Sequence, residues 1–224
     1  MKPDIRNIHP LNINPLVAGM SNFIDADQAQ EIIDSGKPSL VPSTVWDEDA
    51  QTFVVRNAIR SADTCAMEPG NCPIVASARN RLAEILALPA GNCETPWLLR
   101  YESGQDYKAH CDAVVPNTDK AIQDLQARGQ RFFTCLLYLN DGFEGGNTSF
   151  PSLGLSIKPV TGRLLIWSNA MLGSSSVDPR SVHVGEPVTS GVKYALTFWF
   201  RQSPQKAQFF NVHPDQNSTA DSRG

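Results

Sequence analysis

The order of hydrophobic and polar residues changes character along the chain, and the earlier part favours helices. Residues 21–38, SNFIDADQAQEIIDSGKP, place apolar side chains at helical spacing. Asp25 stands three positions before Gln28, the arrangement of a capping box at a helix start. Gly36 stands where a helix would stop. We therefore predict a helix that is capped by Asp25 and ends near Gly36.

Two further helices follow from the same criteria. Residues 72–92, CPIVASARNRLAEILALPAGN, repeat apolar side chains at helical spacing. Pro73 suits a first turn, where its missing N–H is not needed, and Pro89 and Gly91 are expected to end the helix. Residues 119–128 predict a short third helix that is followed by a glycine.

Four later segments predict β-strands, because they are short, apolar or aromatic, and bounded by turn-forming residues. In chain order they are TPWLLRYE, QRFFTCLLYLN, RLLIWS and GVKYALTFWF. Helices that precede a run of strands favour an α+β fold, with the helices packed on an antiparallel sandwich or roll.

The length of 224 residues suits one domain. We predict an irregular, Pro- and Asn-rich N-terminal segment over residues 1–16, a folded domain over 17–203, and a polar C-terminal tail over 204–224.

Composition excludes some partners. The formal net charge of -4 and the lack of clustered Lys and Arg argue against a nucleic-acid partner. No apolar run approaches the roughly 20 residues of a membrane helix, so we expect no membrane span. No residue pattern sets the oligomeric state.

The N-terminus and the five cysteines bear on the compartment. The start, MKPDIRNIHPLNINPL, lacks the continuous apolar core of a secretory signal, which favours a cytoplasmic location. The cysteines match no metal-binding CxxC pair, and free thiols are expected. A Cys65–Cys72 pair across a short loop is the less favoured alternative.

Three residues suggest a metal site. His110 and Asp112 are two positions apart, so on a strand they would project from the same face. His183, in DPRSVHVGEPV, offers a third ligand. Two histidines and one carboxylate form the facial triad of non-heme Fe(II) oxygenases, although zinc accepts the same ligands. Alternatively, His110 and Asp112 form a surface pair and His183 is a core histidine.

Lys193 begins the apolar strand segment ten residues after His183. If it faces inward, its ammonium group needs a partner. The distal carboxylate of 2-oxoglutarate would be such a partner in a 2-oxoglutarate oxygenase. The alternative is an ordinary lysine in solvent.

Several blocks together resemble the prolyl 4-hydroxylase family of Fe(II)/2-oxoglutarate-dependent dioxygenases. They are RSADTCAM, LLRYESGQDYKAHCD, RFFTCLLYLNDGFEGGNTSFP, IKPVTGRLLIW, DPRSVHVGEPVTSGVKYALTFWFR and, more loosely, SNFIDADQAQEII. They run in the family's order and cover roughly residues 17 to 201. The resemblance implies a double-stranded β-helix, or jelly-roll, core with the N-terminal helices packed on one sheet.

The resemblance also implies roles for particular residues. The ligands of Fe(II) would be His110, Asp112 and His183. The residues that bind 2-oxoglutarate would be Lys193, Tyr101, Thr134 and Tyr138, and those near the substrate would be Arg60 and Trp199. Besides Fe(II) and 2-oxoglutarate, the family uses O2, with ascorbate as the expected reductant.

The activity implied is hydroxylation of a C–H bond with release of succinate and CO2, and the favoured substrate is a prolyl residue of a peptide or protein. Alternatives are hydroxylation of a free amino acid or other small metabolite, a non-catalytic sensor of 2-oxoglutarate or oxygen, and a structural zinc protein. The segments 113–130 and 169–180 are expected to set substrate specificity.

Overall fold

The computed structural model of the chain describes residues 7–47 and 52–205. Its three α-helices are α1 (Ala26–Gly36), α2 (Pro73–Leu86) and α3 (Asp119–Arg128). Short 3-10 turns lie at Lys37–Ser39, Ala90–Asn92, Pro151–Leu153 and Pro179–Ser181. The three predicted helices are therefore present, each within a few residues of its expected bounds.

Strands make up most of the remaining regular structure. The first eight are β1 (Ile8–Asn12), β2 (Val17–Met20), β3 (Val41–Pro42), β4 (Val45–Asp47), β5 (Thr52–Val54), β6 (Asp63–Ala66), β7 (Trp97–Glu102) and β8 (Tyr107–His110). The others are β9 (Arg131–Tyr138), β10 (Glu144–Gly145), β11 (Thr148–Phe150), β12 (Leu155–Ile157), β13 (Leu164–Ser168), β14 (His183–Gly185), β15 (Val188–Ser190) and β16 (Val192–Arg201). The four strands predicted from the sequence are β7, β9, β13 and β16.

The strands form a large and a small sheet, with two additional strand pairs. The large sheet has eight strands in the order β1-β2-β13-β9-β16-β7-β6-β3, and the small one has four in the order β12-β11-β14-β8. The pairs are β10-β15 and β4-β5. All recorded pairings between these strands are antiparallel.

The central strands of the large sheet are buried on both faces, and alternation sorts their side chains. On β9, Cys135 and Leu137 join an apolar cluster with α1 and α2. Leu136 and Tyr138 join a second cluster, which includes Phe150 of the small sheet. One face of the large sheet therefore packs on the helices, and the other faces the small sheet.

Local interactions explain the ends of α1. The Asp25 side chain accepts from the backbone N–H of Gln28, and the Gln28 side chain accepts from that of Asp25, so the predicted capping box is present. Gly36, the last residue of α1, has a right-handed helical backbone conformation, so the helix does not end there in a left-handed turn. A Cβ at this position would lie 2.6 Å from both Leu98 and Met67, so the glycine permits close packing of α1 on the sheet.

Two predicted segments differ from the structure. Residues 1–16 were expected to be irregular, but β1 pairs with β2 at the edge of the large sheet. Most residues of this edge strand are exposed, so the strand forms without a pattern of apolar side chains. Helix α2 ends at Leu86, before Pro89 and Gly91, because Ala87 adopts a left-handed conformation. Residues 1–6 and, of the predicted tail, residues 206–224 lie outside the described part.

Cys65 and Cys72 are both buried free thiols, as are Cys93 and Cys135. Cys111 is a free thiol of intermediate exposure. In the described ranges, no helix has the length and apolarity needed to cross a bilayer.

Candidate active site

The three predicted metal ligands converge on one point between the two sheets. His110 is the last residue of β8, and His183, the first residue of β14, pairs with it directly across the small sheet. Asp112 follows two residues after the end of β8, so it reaches the site from a loop and not from the strand on which it was expected. One ligand atom of each residue lies within 4.8 Å of the other two.

Backbone carbonyls fix the orientation of both imidazoles. His110 Nδ1 lies 2.7 Å from the carbonyl oxygen of Lys108, and His183 Nδ1 lies 3.0 Å from that of Ser181. A carbonyl only accepts, so each Nδ1 carries a proton, and each Nε2 is the ring nitrogen that remains for a metal. The two Nε2 atoms face the Asp112 carboxylate, at 3.7 Å for His110 and 3.6 Å for His183.

The electrostatics of the site favour a neutral His110 imidazole beside an ionised Asp112 carboxylate. Burial, with the neighbouring His183, lowers the pKa of His110 to about 3. Burial acts to raise the pKa of Asp112, but His183 and His110, together with Arg131, outweigh it, and that pKa is lowered. Metal ligation needs these protonation states. Two imidazole nitrogens and one carboxylate oxygen therefore fit a divalent iron or zinc ion.

Aromatic rings hold the two histidines in place. Tyr107 stacks on His110, with ring centroids 3.5 Å apart and an interplanar angle of 15°. Trp167 meets His183 edge to face at 4.7 Å. These ring contacts and the two carbonyl hydrogen bonds therefore fix the orientation of both imidazoles.

Lys193 lies deeper in the same cavity, with 4% of its surface exposed. Its ammonium group donates to the Gly146 carbonyl at 2.7 Å and lies 5.4 Å and 5.6 Å from the ring centroids of Tyr101 and Tyr138. Burial lowers its pKa to about 8. The alternative of a lysine in solvent is therefore wrong. A buried ammonium group of this kind requires an anionic or hydrogen-bonding partner.

Tyr101, Thr134 and Tyr138 were expected to contact the cosubstrate. Tyr101 lines the cavity directly across the sheet from Lys193. Tyr138 is not among the residues that line the cavity; its ring centroid lies 5.6 Å from Lys193 Nζ, and its hydroxyl donates to that of Thr148 at 2.8 Å. Thr134 lies at the metal end, because its hydroxyl contacts Asp112 Oδ2 at 2.7 Å.

Arg60 and Trp199, the predicted substrate residues, also line the cavity. The Arg60 guanidinium stands 4.8 Å above the Tyr107 ring, and Arg131 stacks on the Trp199 ring at 4.2 Å. The Arg60 Nε and the indole nitrogen of Trp199 are buried and have no hydrogen-bond partner among the described residues. These donors remain available to a bound molecule.

A buried ion-pair network around Glu94 is connected to the site through Arg131. Glu94 accepts two hydrogen bonds from Arg131, at 2.6 and 2.9 Å, and one from Arg201 at 2.5 Å. Arg201 also bonds to Asp124 of α3 at 2.7 Å, and Arg131 donates to the Asp112 backbone carbonyl at 3.3 Å. The inserted helix α3 is thereby tied to the strands that carry the site.

Some site residues escaped the sequence analysis. Tyr107 could have been found, since it stands three positions before His110 in the block that carried the family resemblance. Trp167 reads as an ordinary core residue of an apolar strand. Asn169 and Glu94 lie in no recognisable pattern, and only the fold brings them to the site.

Comparisons with known proteins agree with this geometry. The chain matches the 2OG-Fe(II) oxygenase superfamily over residues 96–201. It is 32% identical over 216 residues to prolyl 4-hydroxylase 1 of Arabidopsis thaliana, a match that covers 88% of this chain and 74% of that protein.

Two solved structures share the fold. The viral collagen prolyl hydroxylase of Paramecium Bursaria Chlorella virus-1, in its 2OG complex, aligns with a TM-score of 0.64 and 24% identity, over 82% of this chain and 94% of that one. A prolyl hydroxylase of Trichoplax adhaerens, in complex with a hypoxia inducible factor peptide, aligns with a TM-score of 0.62 and 18% identity, over 85% of each chain. The likeness confirms the predicted α+β jelly roll.

Proposed function

The chain belongs to the prolyl 4-hydroxylase family of 2OG-Fe(II) oxygenases and is a 2-oxoglutarate-dependent dioxygenase, and we propose that it hydroxylates prolyl residues of a peptide or protein. The observation that carries this proposal is the charge pattern of the cavity. The residues that line it include a buried cation, Lys193, and the metal-ligand set, together with Arg60 and Trp199, whose Nε and indole nitrogen have no hydrogen-bond partner among the described residues.

The metal is proposed to bind to His110 Nε2, His183 Nε2 and an oxygen of Asp112. These donors support an iron site because each imidazole is held by an Nδ1 hydrogen bond that directs its Nε2 towards Asp112. When bound, Fe(II) with 2-oxoglutarate and O2 supplies the oxidising power that converts a C–H bond to C–OH, with release of succinate and CO2. The residues themselves supply orientation and a cavity shielded from water.

The distal carboxylate of 2-oxoglutarate is proposed to pair with Lys193. The ammonium group has a single recorded hydrogen bond, to the Gly146 carbonyl, and burial disfavours its charge. A carboxylate would offset that burial through a charge-assisted hydrogen bond. The rings of Tyr101 and Tyr138 would flank the cosubstrate and keep water from this pair.

Peptidyl proline suits the substrate side better than free proline does. Among the described residues that line the cavity, Asp112 is the only carboxylate, and it belongs to the proposed metal site. The ammonium group of a free amino acid would therefore lack a partner. Peptide carbonyls carry no charge and could accept from the unpaired nitrogens of Arg60 and Trp199. One solved structure of the same fold is a prolyl hydroxylase in complex with a peptide fragment, which supports the same choice.

A comparison of substrates tests the proposal. The full chain is supplied with Fe(II), 2-oxoglutarate, ascorbate as the proposed reductant and O2, and mass spectrometry follows a blocked proline-rich peptide and free proline. We expect hydroxylated peptide and no product from free proline. Hydroxylation of free proline alone would contradict the peptide assignment and favour a metabolite hydroxylase, in which Arg60 binds the substrate carboxylate.

The same mixtures address the two remaining alternatives. A non-catalytic sensor would bind 2-oxoglutarate but form no succinate with any substrate. A structural zinc protein would retain zinc through dialysis and would not accept Fe(II) in its place. The cytoplasmic location and the boundary between the domain and the C-terminal tail stay predictions.

A further inference from the structure

The Asp112 carboxylate has an orientation that the metal site itself does not explain. Its Oδ1 lies nearer His110 and its Oδ2 nearer His183, at almost equal distances of 3.7 and 3.6 Å from the two Nε2 atoms. A carboxylate on a loop can rotate about its terminal torsion, which is broad and roughly two-fold. Something else must therefore decide which oxygen is presented to a metal.

Thr134, at the centre of β9, contacts one oxygen only. Its hydroxyl lies 2.7 Å from Asp112 Oδ2 and is buried. An ionised carboxylate has no proton to give, so the Thr134 proton points at Oδ2. The hydroxyl oxygen then has only lone pairs left, and any further partner must be a donor.

Asn169 supplies that donor. Its Nδ2 lies 2.8 Å from the Thr134 hydroxyl oxygen, and the residue is fully buried. The direction of the chain is fixed from Asn169 through Thr134 to Asp112, because the reverse orientation would place the amide oxygen against a lone pair.

The backbone holds Asn169 firmly. It follows directly after β13, donates its N–H to the Phe132 carbonyl at 2.8 Å, and accepts from the Asp178 N–H at 3.0 Å. Its side-chain Oδ1, in contrast, is buried and has no partner among the described residues. An apolar residue of similar size would avoid that unsatisfied oxygen, so stability alone does not account for an asparagine here.

We propose that Asn169 and Thr134 are positioning residues that lock the Asp112 carboxylate and leave its Oδ1 free to bind the metal. The inference rests on the proposed metal site. It adds to the role expected for Thr134, contact with the cosubstrate, which stays a prediction. Neither residue touches the reacting atoms; both act through Asp112.

Metal affinity without turnover tests the inference. Mn(II) binding to the full chain is measured by electron paramagnetic resonance for the wild type and for T134V, T134S and N169L. Outer-shell partners of metal ligands typically contribute about 10- to 100-fold in affinity, so T134V and N169L should weaken Mn(II) binding by that factor. T134S keeps the hydroxyl and should bind as the wild type does.

T197V is the matched control, because Thr197 is also buried and also lines the cavity, on the neighbouring strand β16. It should leave Mn(II) affinity unchanged. Equal affinity in the wild type, T134V and N169L would overturn the positioning role while leaving the metal site in place. Absence of Mn(II) binding by the wild type would instead overturn the metal site, and the positioning role with it.

Discussion

Replacing Lys193 by methionine should remove cosubstrate binding without destabilising the protein. The ammonium group is buried beside two aromatic rings, and burial moves its pKa from 10.5 to about 8. At about 1.4 kcal/mol for each tenfold change in the proton equilibrium, the charged form costs the folded state about 3 kcal/mol. Methionine has a similar length and no charge to bury.

The pH dependence follows from the direction of this shift. Below about pH 8 the folded protein carries the buried ammonium, and the full cost is present. As the pH rises from about 8 towards 10.5, the folded protein holds the neutral amine and the cost disappears. The advantage of K193M should therefore be greatest at and below neutral pH and should fade in alkaline solution.

One loss opposes the gain. The Gly146 carbonyl would lose its hydrogen-bond donor, which costs about 1–3 kcal/mol for a buried group. The net change in the free energy of unfolding for K193M should thus lie between about zero and 2 kcal/mol in favour of the variant. Exposed Lys158 provides the control, and K158M should change stability little.

Urea denaturation of the full chain, with and without Mn(II) and 2-oxoglutarate, measures both effects. The wild type should gain stability from 2-oxoglutarate, by about 2.7 kcal/mol at 100 times the dissociation constant, and K193M should gain none. If K193M were less stable than the wild type by more than about 2 kcal/mol without cosubstrate, the ammonium group would already be well paired, and the reasoning would fail.

Two further predictions concern stability. E94Q leaves Arg131 and Arg201 without their buried partner and should lower the free energy of unfolding by about 3–5 kcal/mol in urea melts. Burial acts to raise the pKa of Glu94, but Arg131 and Arg201 outweigh it and hold that pKa at about 2. The stabilisation by these ion pairs is therefore complete above about pH 4.5 and is lost as the pH falls towards 2. An unchanged acid unfolding transition in E94Q would refute this. G36A should cost about 1–3 kcal/mol, because its Cβ would crowd Leu98, and thermal unfolding at the wild-type temperature would contradict the packing argument.

The sequence predicts the parts of this structure that depend on local periodicity. The central strands β7, β9, β13 and β16 are long and apolar, and the capping residues around Asp25 determine where α1 begins. His110, His183 and Lys193 could be assigned because they stand within or beside such strands, in a spacing that the family shares. The residues of the candidate metal site and the buried lysine could therefore be named from the sequence before the fold was known.

Features that depend on contacts between distant segments could not be predicted. Glu94 pairs with Arg201, 107 positions away, and nothing in the local sequence distinguishes either residue from a charged residue in solvent. Asn169 and Thr134 are 35 positions apart and meet only because β13 pairs with β9. Strand β1 has a mostly exposed, Pro-containing sequence with no alternation, so its pairing is a consequence of the sheet edge beside it.

The most direct test of the central claim is the stoichiometry between succinate and hydroxylated product. The full chain is incubated with Fe(II), 2-oxoglutarate, ascorbate, O2 and a proline-rich peptide, and both products are quantified by mass spectrometry beside D112A. We expect equal amounts of succinate and hydroxyprolyl peptide from the wild type, and neither from D112A. Product formation by D112A at the wild-type rate, or no succinate from the wild type with any substrate, would contradict the account.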